Sequence, residues 1–311
     1  MLKEIYYSVK PFLPRSFQIW LRRQLVLRRR HLYCDVWPID PAGSDPPEGW
    51  SGWPDNKKFA LVLTHDVDTA KGQENVHKLA ELEDRLRFRS SFNFVPERYS
   101  VSPALRRYLT SEGFEVGLHG LYHDGKLFFS RKIFSGRAEK INRYIDEWGS
   151  VGFRSPAMHH NLEWIQDLNI EYDASTFDTD PFEPYSGGVG TIFPFWVDGH
   201  ADRRGYVELP YTLPQDHTLF VIMKHKNISI WKKKLDWIAE KGGMALLNTH
   251  PDYMNFDGRP LSLEQYPFRF YEEFLEHVWV SYENQYWHAL PREVAEFWRR
   301  ACCVASANES Y

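Results

Sequence analysis

Short β-like runs that alternate with longer helical patterns predict an α/β fold built on a parallel sheet or barrel. Phe59 to Leu63 precedes a helical pattern over Asn75 to Arg87, and Ser91 to Val95 precedes one over Pro103 to Ser111. Further apolar runs fall at Glu115 to Leu118, Gly152 to Arg154, Leu219 to Met223 and Met244 to Asn248, the last after a helical Ile230 to Lys241. The second observation is where ionisable residues fall. Asp66 and Asp68 follow the first run, His119 and His123 follow Val116-Gly-Leu118, Arg154 follows Val151-Gly-Phe153, and His250 follows Ala245-Leu-Leu-Asn-Thr249. In parallel barrels catalytic groups project from the C-terminal ends of strands, so four strand ends point to one chemistry.

With 311 residues, 43% hydrophobic and 16% aromatic, the chain can bury one large core. A net charge of −4 leaves no global basic excess, which argues against nucleic acid as a partner and makes any basic surface local. Cys34, Cys302 and Cys303 are odd in number, and the adjacent pair cannot bridge without strain, so no disulfide framework is expected. Met1 to Tyr7 carries no apolar signal segment, and no later stretch approaches 18 consecutive apolar residues. A cytoplasmic protein without membrane spans is therefore expected.

Residues 11–33 interleave Phe12, Phe17, Ile19, Trp20, Leu21, Leu25 and Leu27 with Arg15, Arg22, Arg23, Arg28, Arg29 and Arg30. This predicts a basic amphipathic helix, read either as a peripheral contact with an anionic membrane or as ordinary packing with solvated arginines. Trp37 to Pro54 is rich in Pro, Gly, Asp and Trp and reads as an irregular connector. The expected organisation is an N-terminal extension over 1–56 and a main domain over 57–311 with a C-terminal helical tail. No internal repeat is found.

His119-Gly-Leu-Tyr-His123 spaces two imidazoles for one side of a helical turn or compact loop. Two imidazoles and a strand-end carboxylate would leave an open position on a divalent ion, the arrangement a hydrolytic zinc site needs, and Asp66 or Asp68 can supply the carboxylate. One residue apart on a strand, the two aspartates share a face and repel unless given different partners. One could ligate while the other, beside Arg154, accepts a proton; the plain alternative is a turn or helix cap within Thr64 to Thr69. Asp124 could orient His123 or cap the next turn.

Taken in order, these motifs resemble the polysaccharide deacetylase family, the NodB-homology carbohydrate esterases. Leu63-Thr-His-Asp-Val-Asp68 is similar to the family's Thr-Phe-Asp-Asp motif in its Asp-x-Asp variant, with Val67 as spacer. His119-Gly-Leu-Tyr-His123-Asp resembles the His-Ser/Thr-x-x-His-Pro metal motif, with Gly120 and Asp124 at the hydroxyl and proline positions. Phe153-Arg154-Ser-Pro156 resembles the Arg-x-Pro motif and Leu247-Asn-Thr-His250-Pro the Leu-x-His motif. The resemblance spans Phe59 to Tyr253 and leaves the N-terminal segment and the tail after Phe256 outside.

The resemblance implies a distorted (β/α) barrel of the NodB-homology type with fewer than eight strands, removing an N-acetyl group from a sugar. It implies a divalent metal, zinc first, on Asp68, His119 and His123, with Asp66 as base held by Arg154 and His250 as acid. The Asp66 and Asp68 roles are open to exchange because of the spacer. Asp173, Asp178 and Asp180 compete to support His250, and order and spacing choose Asp178. Tyr122, Trp164, Tyr185, Phe195, Trp196 and Tyr211 lie near the motifs as sugar-stacking or packing residues, His159 and His160 as loop histidines. Val207 to His217 reads as substrate mouth or edge strand. The substrate is expected to be a nucleotide- or lipid-linked precursor. Rival readings are a cyclic amide or ureide hydrolase on the same scaffold and an inactive peripheral membrane module.

Overall fold

The computed structural model describes residues 13–184, 187–199 and 204–308, with side chains as far as residue 301. Met1 to Phe12, Tyr185 and the side chains of Cys302 and Cys303 lie outside the described residues. The strands are β1 (Phe59–Val67), β2 (Ser91–Phe94), β3 (Glu115–His119), β4 (Gly152–Arg154), β5 (Tyr172–Asp173), β6 (Phe195–Val197), β7 (Tyr206–Glu208), β8 (Met244–Thr249), β9 (Met254–Asn255), β10 (Tyr266–Pro267) and β11 (Tyr286–His288). The helices are α1 (Arg15–Arg29), α2 (Ala70–Arg85), α3 (Pro103–Ser111), α4 (Arg131–Trp148), α5 (Leu162–Ile165), α6 (Ser229–Lys241), α7 (Arg269–Ser281) and α8 (Pro291–Asn308).

A curled sheet of mostly parallel strands forms the centre. From β1 the order runs through β2, β3, β4 and β5 to β7, with β6 antiparallel at the end, while β8 pairs with the other side of β1. The chain leaving β7 reaches β8 through a parallel bridge between Leu213 and Leu247, which draws the sheet round upon itself. Residues of β1 are buried along its whole length, so both its faces meet protein. Thr64 and Asp66 face the inside of the curl, whereas His65 turns to the helices, where its ring nitrogens bond Glu83 of α2 and Thr249 at 2.8 and 2.7 Å.

The helices begin where short polar side chains can cap them. Thr69 accepts from the Gly72 N–H of α2, Ser102 from Leu105 of α3 and Ser130 from Ile133 of α4. The Thr69 cap starts α2 several residues ahead of the Asn75 expected from apolar spacing. Leu219 to Ile222, most of the apolar run Leu219 to Met223, lies in a buried π-helical turn over His217–Ile222 rather than a strand; complete burial removes the alternation that separates the two. The tail contributes a strand as well as helices, since β11 pairs with the first half of β1.

The N-terminal extension packs on the same core: Ile19, Val26, Trp37 and Trp53 share one buried cluster with the residues of β1 and β8. No helix among the described residues is long and apolar enough to cross a membrane.

Asp178, expected beside His250, is committed elsewhere. Its carboxylate is buried against the ammonium of Lys234 on α6, itself fully buried. Replacing Lys234 by Met strands that carboxylate, and denaturant unfolding of Lys234→Met is expected to show a loss of about 3–5 kcal/mol. A loss within experimental error would mean that Asp178 is not held by this pair.

Candidate active site

The C-terminal end of β1 delivers two carboxylates to a cavity of about 730 Å³, whose lining includes Asp66, Asp68, His119, His123 and His250. His119 closes β3, and His123 follows in a loop with φ of 55°. Gly120 permits the sharp exit: its φ is 65°, and a Cβ there would stand 2.5 Å from Pro156 of the Arg-Ser-Pro segment. The spacing of the two histidines is thus met by a compact loop and not by a helix. A donor atom from each of Asp68, His119 and His123 lies within 4.8 Å of the others. Asp68 Oδ1 is 3.4 Å from His119 Nε2 and 3.0 Å from His123 Nε2.

Partners outside this cluster fix its orientation. His119 Nδ1 sits 3.2 Å from the Arg154 carbonyl, which sets a tautomer with Nε2 free to ligate. The Asp68 backbone N–H donates to Asp252 at 2.9 Å, and Thr69 donates its hydroxyl to the same carboxylate. Burial and the neighbouring Asp68 push Asp252 up to about 7. Burial works against ionisation of Asp68 itself, but His123 and His119 outweigh it and hold that carboxyl well below its usual range. Asp124 forms a paired contact with Arg137, both nitrogen–oxygen distances 2.7 Å, and so belongs to the loop's own structure.

Asp66 has a different set of partners. Asn93, opposite it on β2, donates to Oδ1 at 3.0 Å, and Asn248 on β8 donates to Oδ2 at 2.8 Å. The Arg154 guanidinium is 3.5 Å from Oδ1, while its hydrogen bonds go to Thr64 Oγ1 at 2.7 Å and the Ala174 carbonyl at 2.8 Å. Burial raises the Asp66 pKa, but His119 and Arg154 more than offset this and leave it below the ordinary value.

His250 is held by Asp216. The carboxylate meets His250 Nδ1 at 2.7 Å, accepts the His250 backbone N–H at 2.8 Å, and accepts the Tyr266 hydroxyl at 2.9 Å. This is the position assigned to Asp178 from order and spacing. Asp173 and Asp180 do not fill it either: Asp173 accepts from Ser175, and Asp180 from Tyr211. Burial alone would lower the His250 pKa, yet Asp216 outweighs it and pushes it up to about 10.

Sequence reasoning missed Asn93, Asn248, Asp216, Asp252 and Tyr253. Asn248 lies inside the quoted His250 motif, and Asp216 inside the polar Val207 to His217 stretch, so each stood beside a legible signal. Among the aromatic candidates, Tyr211 is buried in the core, while Tyr122 carries Arg137 over its ring at 5.0 Å. The aromatic ring beside His250 in the cavity lining is Tyr253, tilted against His217 at 4.9 Å and His250 at 5.1 Å. His159 also lines the cavity.

No protein-family model matches the chain, and no curated protein sequence matches it. Solved structures do. A candidate polysaccharide deacetylase from Mycobacterium smegmatis aligns with a TM-score of 0.64 at 19% identity, over 82% of this chain and 95% of that one. A probable polysaccharide deacetylase from Pseudomonas aeruginosa PAO1 and the allantoinase PuuE each align with a TM-score of 0.63 at 17% identity, over 85% of this chain and 98% of theirs. At such identity the likeness is one of fold, and in its fold the chain is of the NodB-type polysaccharide deacetylase kind.

Proposed function

We propose that the chain is a metal-dependent hydrolase that removes the acetyl group from an N-acetylated sugar. The observation that carries this reading is the convergence of Asp68, His119 and His123 in one cavity that also holds Asp66 and His250. The donor set fits a divalent ion. Asp68 Oδ1 is buried without a hydrogen-bond partner, a state that costs free energy unless a cation takes it up. Two imidazole nitrogens and one carboxylate oxygen leave positions open, and such a set suits zinc first among the divalent ions. Bound there, the ion would acidify water and polarise a carbonyl.

The remaining groups supply proton transfer. Asp66, with one oxygen on Asn93 and the other on Asn248, is fixed in orientation and kept ionised, ready to accept a proton from the attacking water. Arg154 contributes charge beside it. His250, protonated and with its Nδ1 occupied by Asp216, presents Nε2 to the cavity as donor to the departing amine, without which an amide C–N bond does not readily break. The cavity volume favours a sugar over a small ureide ring, because about 300–1,000 Å³ is the range of sites that enclose ligands of drug size.

Metal analysis of the purified chain is expected to find close to one divalent ion per molecule, lost in both Asp68→Ala and His119→Ala. Wild type that stays metal-free after reconstitution with zinc would sink the reading. Acetate release separates the sugar substrate from a cyclic ureide, whose ring opening liberates none. In that assay Asp216→Asn is expected to lower kcat by about 10²–10⁴-fold while metal content stays at the wild-type level, the range of one lost general acid. Unchanged turnover would remove Asp216 from the mechanism.

A further inference from the structure

Helix α1 is at once the roof of the cavity and, among the described residues, an exposed basic surface. Its inner side buries Ile19 and Val26 in the core and is pinned by arginines. Arg22 donates to the Phe182 carbonyl at 3.2 Å, and Arg23 donates to the carbonyls of Ile222 and Val221 at 3.1 and 2.9 Å. These bonds satisfy backbone groups; of the charges on this side, Arg15 pairs with Glu264 at 2.9 Å and Arg22 lies near Glu183.

The outer side is apolar where water would favour polar residues. Phe17, Trp20, Leu25 and Leu27 are 45–52% exposed, and Leu32 just beyond the helix is 65% exposed. Phe17 and Trp20 stack with ring centroids 5.7 Å apart. Between Arg15 and Tyr33 there is no acidic residue, in a chain whose net charge is −4. Arg28, Arg29 and Arg30 form no ion pair among the described residues, so their charge is uncompensated.

An anionic bilayer surface answers both features: the boundary of headgroup and acyl chain accepts Trp, Phe and Leu, and lipid phosphates accept guanidinium. We infer that α1 docks the chain on an anionic membrane surface. Leu21, Leu25 and Arg29 are exposed and also line the cavity, so its rim is continuous with the docking face. A sugar carried on a lipid phosphate would then reach Asp68 and His250 without leaving the interface. That consequence for substrate rests on the deacetylase reading; the docking does not.

The test is sedimentation of the full chain with phosphatidylcholine vesicles, with and without about one third phosphatidylglycerol. Binding is expected only to the anionic vesicles, and to weaken as salt rises. Arg28→Ser with Arg30→Ser should weaken it about thirtyfold, and Phe17→Ser with Trp20→Ser by at least tenfold, both with metal content and melting temperature kept. The proposal fails if the chain stays in the supernatant or if both pairs bind as wild type does. It fails too if gel filtration gives a dimer that Phe17→Ser with Trp20→Ser dissolves, since a second copy would then cover the face. Asp68→Ala, without its metal, should still sediment, so loss of the hydrolase reading and loss of docking appear separately.

Discussion

Two carboxylates one residue apart at the buried end of β1 would repel each other and unfold the strand end unless each had its own charge partners. The surroundings divide them. Asp68 looks to His119 and His123, while Asp66 is taken by Asn93, Asn248 and the field of Arg154. These five partners come from β2, β3 with its exit loop, β4 and β8, so the division exists only when those strands keep their register in the sheet. In register, Thr64 lies opposite Asn248 and Asp66 opposite Asn93. A slip of one residue along any of these pairs would turn an amide away from its carboxylate, so the sheet and the site specify each other.

This dependence explains what could be read in the sequence. Asp66, Asp68, His119, His123, Arg154 and His250 were legible because they sit at the ends of four apolar runs, where local pattern and chemistry coincide. Asp216 was not, because its approach to His250 depends on the chain after β7 crossing to β8 through the Leu213 to Leu247 bridge, a contact across 34 residues. Asp178 followed the order of motifs but lost its expected role to Lys234, whose burial on α6 no spacing rule announces. The strand β11 was hidden for a similar reason. Its residues Tyr286 to His288 are half-exposed and flanked by helices, and only the first half of β1 gives them a partner.

The acid side of the site depends on a second closure. Asp216 is fully buried and engages His250 through both side chain and backbone, and the Tyr266 hydroxyl donates to the same oxygen that accepts the His250 backbone N–H. A histidine held on one nitrogen alone could rotate; one whose own backbone N–H is bonded to the same carboxylate is fixed relative to its peptide. Tyr253 then packs against the imidazole and against His217, which limits the freedom of the His250 ring. The orientation of His250 is therefore a property of the β8 exit as a unit.

Such a floor does not choose a substrate, since water activated beside a base and an acid can attack any carbonyl held above it. Deacetylase and allantoinase share the fold that carries it. Selection must come from the walls, and much of the cavity lining belongs to α1: Gln18, Ile19, Leu21, Arg22, Leu25 and Arg29 face the space above the ionisable residues. That roof is cationic and apolar together, and a ligand matched to it would carry negative charge and hydrocarbon beside the acetylated ring. Glu183, also in the lining, sits near Arg22, while burial raises its pKa. On the deacetylase reading, an anionic group on such a ligand would meet Arg29 at the open rim, with the sugar ring toward His250 and Asp68.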